Sequence, residues 1–523
     1  MSGKQRILIL GAGVMQGPAL RIAKEMGLET VAADGDPNAA CASLADRFEN
    51  VDLKDKEGIE ALARSLTENG GLAGVMTAGT DFSATVAWTA ERLGLPGISW
   101  ETALDASDKE RMRRRFKAAG VPSPEFVILS KPPSESGGFS LPFPWPAVVK
   151  PVDNMGSRGC RRVDSAEELE TAAAEALGFS RSGRVIVEEY MEGPEFSVDA
   201  LVYQGEITIC GLADRHIFFP PYFIEMGHTM PSDIEKKSAD ALLETFKAGV
   251  RALGIDNGAA KGDIKLTPKG PMIGEIAARL SGGYMSGWTY PYASGVLPTK
   301  GAIQIALGQK PGGLEPEKNW TCVERAFISI PGRVRSVSGL DKARSVPAFK
   351  DLFMRIHEGS RVTFPENNVT KCGNIISAAP ERAEAAASAE SAARSILIRL
   401  AAPDSATEAF LAGYRPKQGP GFPPDAFALD TRLRDLLDAL PDSGTVKGTE
   451  PALAPFPELT GSGLTDWAGR SVPESLEAVR LLTGLSLAPG GRGALGRSFW
   501  TALVRGGYQG AVYYIDALGI GKN

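Results

Sequence analysis

Residues 147–159 read Ala-Val-Val-Lys-Pro-Val-Asp-Asn-Met-Gly-Ser-Arg-Gly. The apolar start predicts a strand that delivers Lys150. The glycines that follow predict a loop carrying Gly156, Ser157 and Gly159. Backbone N–H groups exposed by such a loop can wrap a polyphosphate, and a nearby lysine neutralises it. Taken alone, the same stretch also reads as a surface hairpin with one solvated lysine. Its neighbours tip the balance.

About 30 residues downstream, Val185–Tyr190 runs into Met191-Glu192-Gly193-Pro194-Glu195. Acidic residues are poor strand formers and costly to bury unpaired. An adenine amino group and ribose hydroxyls would give Glu188 and Glu195 hydrogen-bond donors. The peptide groups of Tyr190 and Met191 could read the adenine edge. Further on, two strands at 259–267 and 271–279 are joined at Pro268-Lys269-Gly270. If they pair as a hairpin, the period of two puts Asp263, Lys265, Glu275 and Arg279 on one face. Hard Mg²⁺ takes oxygen ligands, commonly one or two carboxylates plus substrate phosphates. Upstream, Lys109 stands in the first turn of a helix to Ala119, where a cation opposes the macrodipole. Ser107 and Glu110 predict a capping box there. The arginines at 111–115 are expected on a solvated helix face.

The wider chain fits an α/β and α+β multidomain protein. Over residues 1–105, strands at 6–10, 30–33 and 75–77 alternate with helices, as in a doubly wound unit. Residues 106–310 form a second domain, with lobes at about 106–190 and 191–310. In it, strands are expected near 124–129, 146–151, 161–164 and 185–190, a helix at 166–177, a hairpin turning at Gln204-Gly205 and a helix at 233–253. Residues 311–402 predict a small α+β domain ending in an alanine-rich helix at 381–400. The Pro, Gly, Ser and Asp of 403–460 suggest a linker, and 461–523 a small helical extension.

Composition narrows the class. The 523 residues are 43% hydrophobic and 23% charged, ordinary for a soluble globular protein. The net charge of −6 gives no electrostatic footprint for nucleic acid. Five scattered cysteines without a CxxC pair argue against a disulfide framework or zinc site, and three histidines argue against a histidine metal centre. The N-terminal apolar run is too short for a signal or membrane segment, so a cytoplasmic location is expected.

In this order, Lys109, Lys150, the Gly156-Ser157-x-Gly159 loop, the Glu188–Glu195 hinge, Asp263, Glu275 and Arg279 resemble the ATP-grasp family over about residues 1–400. The likeness is greatest to carboxylate–amine ligases of the L-amino acid (dipeptide) ligase type. It implies a Rossmann-like first domain, two lobes clasping ATP and a small closing domain. Lys109 and Lys150 would contact ATP phosphates, Gly156, Ser157 and Gly159 would form a flap, and Glu188, Glu189, Tyr190 and Met191 would hold adenine. Glu195 would hold ribose, Asp263 and Glu275 would bind Mg²⁺ (or Mn²⁺), and Arg279, with Lys150, would serve catalysis. The implied partners are a small carboxylate and an amine, and, as often in the family, a second copy of the chain. Arg215 and His228 are candidates for substrate contact within 214–232. Two positions depart from the family pattern. Ala277 stands where many members carry Asn, and Asp263 where Glu is frequent.

Three other readings stay open. Gly11-x-Gly13 after a strand, with Gly17 and Asp34 beyond, suggests a dinucleotide-dependent oxidoreductase. Ala277 and the C-terminal extension suggest a non-catalytic ATP-binding protein. A bicarbonate-activating enzyme, like biotin carboxylase or carbamoyl-phosphate synthetase, is the third. The Gly490–Arg497 stretch reads as a loop.

Overall fold

The structure, a computed structural model, describes residues 4–136, 140–414, 421–442, 452–487 and 495–520. The chain divides into two compact units. The first comprises Met1–Ile217, Gly227–Glu324 and Ala378–Ala385; the second comprises Phe218–Met226, Arg325–Ser377 and Ala386–Asn523.

The first unit opens with a parallel sheet. Arg6–Leu10 lies between Glu29–Asp34 and Gly74–Thr77, and Arg47–Asn50 forms the outer strand. Continuous apolar strands suit a sheet covered on both faces, and Ile7 to Leu10 are fully buried. The glycine turn after the first strand is already filled. Gly13 N–H donates to Gln16 Oε1 at 2.9 Å, and a Cβ on Gly11 would lie 2.8 Å from Gln16 Cδ. Asp34 accepts the Ala12 N–H at 2.8 Å and the Asp36 N–H at 2.9 Å. Both features that suggested a dinucleotide site, the glycine turn and Asp34, are engaged by the protein's own groups.

A four-stranded antiparallel sheet follows, in the order Phe126–Leu129, Val185–Glu189, Ala147–Pro151, Arg161–Val163. Helix Ala166–Phe179 covers it with Leu169, Ala172, Ala173 and Ala176. A third sheet holds Gly270–Ala277, Gly258–Thr267, Glu195–Tyr203 and Glu206–Phe218 as successive antiparallel neighbours. Its inner face carries Phe196, Val198, Ala200, Ile264, Ile273 and Ile276. These pack on Leu242, Phe246, Val250 and Leu253 of helix Lys236–Leu253, and on Met112 and Phe116 of helix Lys109–Ala118.

Several expectations are corrected. The cap of helix Lys109–Ala118 is Asp108, which accepts the Arg111 N–H at 3.1 Å. Ser107 is unavailable, because it ends helix Trp100–Ser107 and its hydroxyl donates to Ala103 O. The alanine-rich helix stops at Ser395, and Leu397–Leu400 is a strand paired with Gly332–Ser338. The stretch 403–460 carries helices Ser405–Ala412 and Thr431–Ala439, with Phe410, Leu433 and Leu437 buried. Of the Gly490–Arg497 loop, 490–494 lie outside the described residues.

The second unit is built on the helical segment Arg497–Ala517, which is kinked at Gly507. Phe499, Trp500, Leu503, Val504 and Ile515 of this helix pack on Phe427, Leu437, Leu459 and Val479. A second core gathers Ile330, Val334, Phe364, Ile375, Ile396, Ile398 and Leu400.

Phe246 is fully buried, and a Cβ on Gly262 would lie 2.6 Å from its ring. Phe246→Ala therefore opens a cavity under the third sheet. It should destabilise the first unit by ~3–5 kcal/mol, read as a lower midpoint in denaturant unfolding. An unchanged midpoint would contradict this packing.

Candidate functional site

The site is the outer face of the third sheet. The strand registers set its side chains in three rows. Arg215, Glu195 and Lys265 are cross-strand neighbours, as are Ser197, Asp263 and Glu275, and Asp199, Lys261 and Ala277. The expected opposition of Asp263 and Glu275 is thus observed. A bulge makes it compatible with the core. The register shifts between Asp263 and Ile264, and Gly274 is the additional residue. Ile273 and Ile276 point into the core while Glu275 stays on the outer face. A Cβ on Gly274 would lie 3.2 Å from Asp263 O.

Helix Lys109–Ala118 contributes two cations. Lys109, Met112, Arg113 and Phe116 are all buried, at the spacing of one helix face. Lys109 Nζ donates to Asn154 O at 2.8 Å and stands 3.6 Å from Glu275 Oε2. Arg113 is fully buried, donates to Gly274 O at 2.5 Å, and places Nε 2.8 Å from Glu188 Oε1. Lys150 Nζ lies 2.7 Å from Glu188 Oε2. Two expectations change here. Both Glu188 oxygens face cations, so this carboxylate props Lys150 instead of waiting for an adenine amino group. The arginine cluster is no solvated face at Arg113. Of its neighbours, Arg111 and Arg115 each lie 2.8 Å from Asp105, and Arg114 lies 2.7 Å from Glu110.

The hinge is held from several sides. Glu189 Oε1 takes Lys269 Nζ at 2.6 Å. The Tyr190 N–H donates to Pro146 O at 3.3 Å, and Met191 O accepts Lys265 Nζ at 3.1 Å. Glu195 contacts Arg215 and lies 3.8 Å from Lys265. The loop at Gly156, Ser157 and Gly159 runs through left-handed backbone, with φ of 67°, 60° and 67°. Glycine adopts that region without penalty, and a serine there is uncommon.

Arg215 belongs to the carboxylate cluster, 3.3 Å from Asp263 Oδ2. His228 is 2% exposed, with Nδ1 3.0 Å from Glu324 Oε2. Arg279 follows the last strand and donates to Leu280 O at 3.2 Å. Lys261 and Asp199 were not expected at the site, and Arg113 was expected on a solvated face. Lys261 and Asp199 share the parity of Asp263 and Glu195, and Arg113 stands four residues after Lys109, so each had a signal.

The charges act on one another. Burial alone would push the Glu275 carboxyl up. Lys109, with Lys150 and Lys261, outweighs both that and the like charge of Asp263, and holds it below the usual value. Burial likewise opposes ionisation of Glu188, but Arg113 and Lys150 prevail and lower it. Asp199 goes the other way. Burial raises it, and Ser286, whose hydroxyl donates at 2.6 Å, offsets this only in part.

Among the described residues no three His, Cys, Asp or Glu side chains group as a ready metal cage. Asp263 and Glu275 offer two carboxylates, the number Mg²⁺ uses when phosphates complete its shell. The donor set fits. Lys109, Lys150, Arg215, Lys261 and Lys265 supply positive charge beside them, as a polyphosphate requires. No helix among the described residues is long and apolar enough to cross a membrane.

Two family models match parts of this chain. Residues 143–287 match the ATP-grasp domain family, and residues 326–401 match L-amino acid ligase C-terminal domain 2. Carnosine synthase 1 from Gallus gallus is 26% identical over 60% of this chain and 36% of its own length. An L-arginine-specific L-amino acid ligase from Bacillus subtilis is 28% identical over 37% of this chain and 48% of its own length. The chain thus spans less than half of either relative. The L-amino acid ligase structure from Bacillus licheniformis superposes with a TM-score of 0.66 at 21% identity, covering 77% of this chain and 100% of that one.

The lowered Glu188 sets a pH dependence. Its folded carboxyl ionises below the ordinary value of 4.5, so its stabilisation is present above pH 4.5 and is lost as pH falls through the folded value. Glu188→Gln should cost ~3–5 kcal/mol at neutral pH, because Arg113 is left buried without its counter-charge. The gap to the unsubstituted protein should narrow in acid. A gap constant with pH in denaturant unfolding would contradict the ion pair.

Proposed function

Starting from a chain that carries an ATP-grasp domain, we propose that it is an ATP-dependent ligase that activates a small carboxylate as an acyl phosphate and joins it to an amine. The observation that carries this is the direct opposition of Asp263 and Glu275, with buried Lys109 beside Glu275. The L-amino acid ligase-type domain and the two ligase relatives support an amino acid or short peptide among the substrates.

Lys109 and Lys150 would take the phosphates, and Glu188 and Arg113 hold Lys150 in place. Glu189, Tyr190 and Met191 would border the adenine, and Glu195 the ribose. Asp263 and Glu275 would hold Mg²⁺, which supplies charge neutralisation on the phosphates when bound. A substrate carboxylate oxygen attacks the γ-phosphorus and ADP leaves. Lys150 and Lys109 offset charge on the transferring group. The amine then attacks the acyl carbon and phosphate leaves, with Arg279 steadying the acyl phosphate. The Gly156–Gly159 loop would close over it and keep water out. Arg215, set between Glu195 and Asp263, faces the phosphates in this reading, and His228 is left as a packing residue.

ADP release from Mg²⁺-ATP should require a carboxylate and an amine together, tested on a panel of amino acids, dipeptides and other small acids and amines. Lys150→Met should lower kcat about 10²–10³-fold, and Glu275→Gln should abolish release. Release that depends on bicarbonate alone would overturn the ligase reading in favour of a carboxylase.

A further inference from the structure

Lys261 is assigned no step in the proposed reaction, yet it occupies the middle of the outer face. It precedes Asp263 by two residues on Gly258–Thr267 and shares its side of the sheet. Its cross-strand neighbours are Asp199 and Ala277. Ala277 presents only a methyl group, so the lysine meets no side-chain donor or acceptor there. Its Nζ contacts Asp263 Oδ1, and its side chain is 16% exposed. Its charge also acts on Glu275.

Asp263 is crowded with cations. Oδ1 contacts Lys261 and accepts the Ser197 hydroxyl at 2.9 Å, while Oδ2 faces Arg215 at 3.3 Å. Among the described residues Lys109 is the cation in ion-pair range of Glu275, at 3.6 Å, and the carboxylate keeps 34% of its side chain exposed. A pair of divalent ions needs oxygen donors beyond two carboxylates. Position 277, beside Glu275 on the same face, offers none. Asp199 is a weak competitor for the lysine, since Ser286 occupies its Oδ2 and burial disfavours its charge.

We propose that Lys261 supplies the positive charge that a second divalent cation would bring, so that the site works with a single metal ion on Glu275 and Asp263. This rests on the nucleotide-dependent ligase reading and deepens it. A dication placed on the Oδ1 side of Asp263 would face an ammonium at contact distance, whereas the Glu275 side stays open to one ion and the phosphates.

Counting bound Mn²⁺ by electron paramagnetic resonance, with a saturating non-hydrolysable ATP analogue, tests this without turnover. The unsubstituted protein should hold one tight Mn²⁺ per chain. The double variant Lys261→Met, Ala277→Asn removes the ammonium and supplies an oxygen donor, and should hold two. Ala277→Asn alone should stay at one, because the lysine remains; this arm keeps the test intact if the double variant fails to fold. Two ions in the unsubstituted protein or in Ala277→Asn would overturn the role of Lys261, as would one ion in a folded double variant. Failure to bind the analogue at all would instead remove the ligase reading and this inference with it.

Discussion

Two carboxylates face each other across one rung of a β-sheet, Asp263 opposite Glu275. Like charges at such a position repel and weaken the sheet. The rest of the outer face is organised around this repulsion. Lys109 stands beside Glu275, and Lys261 and Arg215 stand beside Asp263. Lys109, with Lys150 and Lys261, holds the Glu275 carboxyl below its usual value despite burial. The cation-rich surrounding offsets this repulsion, and such a surrounding is what a polyphosphate binds.

The constraint reaches the core through the bulge. A strand has a strict period of two, so a regular Gly270–Ala277 strand could not aim Ile273 and Ile276 inward and keep Glu275 outward. One additional residue at Gly274 resets the parity. The same strand then packs on Phe246 with one face and carries the charged rung on the other. A glycine suits that position because a Cβ there would lie 3.2 Å from the Asp263 carbonyl oxygen.

Much of this was legible in the sequence. The turn at Gln204-Gly205 and the Pro268-Lys269-Gly270 link gave the two hairpins, while the opposition of Asp263 and Glu275 depends on the bulge at Gly274, which a period of two does not contain. What escaped depended on distant partners. Ser107 and Asp108 are both good caps, and only the preceding helix decides that Ser107 is already used. Ile396–Leu400 continues an alanine-rich helix by composition, but long-range pairing with Gly332–Ser338 makes a strand of its last residues. In 403–460 the proline and glycine content hid helices whose few apolar residues reach a core made mostly by 472–515. Glu188 looked like an adenine ligand because its two cationic partners lie 38 and 75 residues away in the chain.

Arg113 shows how these parts become one site. A guanidinium has no reason to sit fully buried on an apolar helix stripe unless its charge is answered. Glu188, from the second sheet, answers it, and the Gly274 carbonyl, from the bulge of the third, takes another of its N–H groups. One side chain therefore joins the strand that supports Lys150 to the bulge that aims Glu275. Lys150, through Glu188, and Glu275, through Gly274, are positioned by the same buried group. That coupling explains why a helix of otherwise solvent-facing arginines places this one inside.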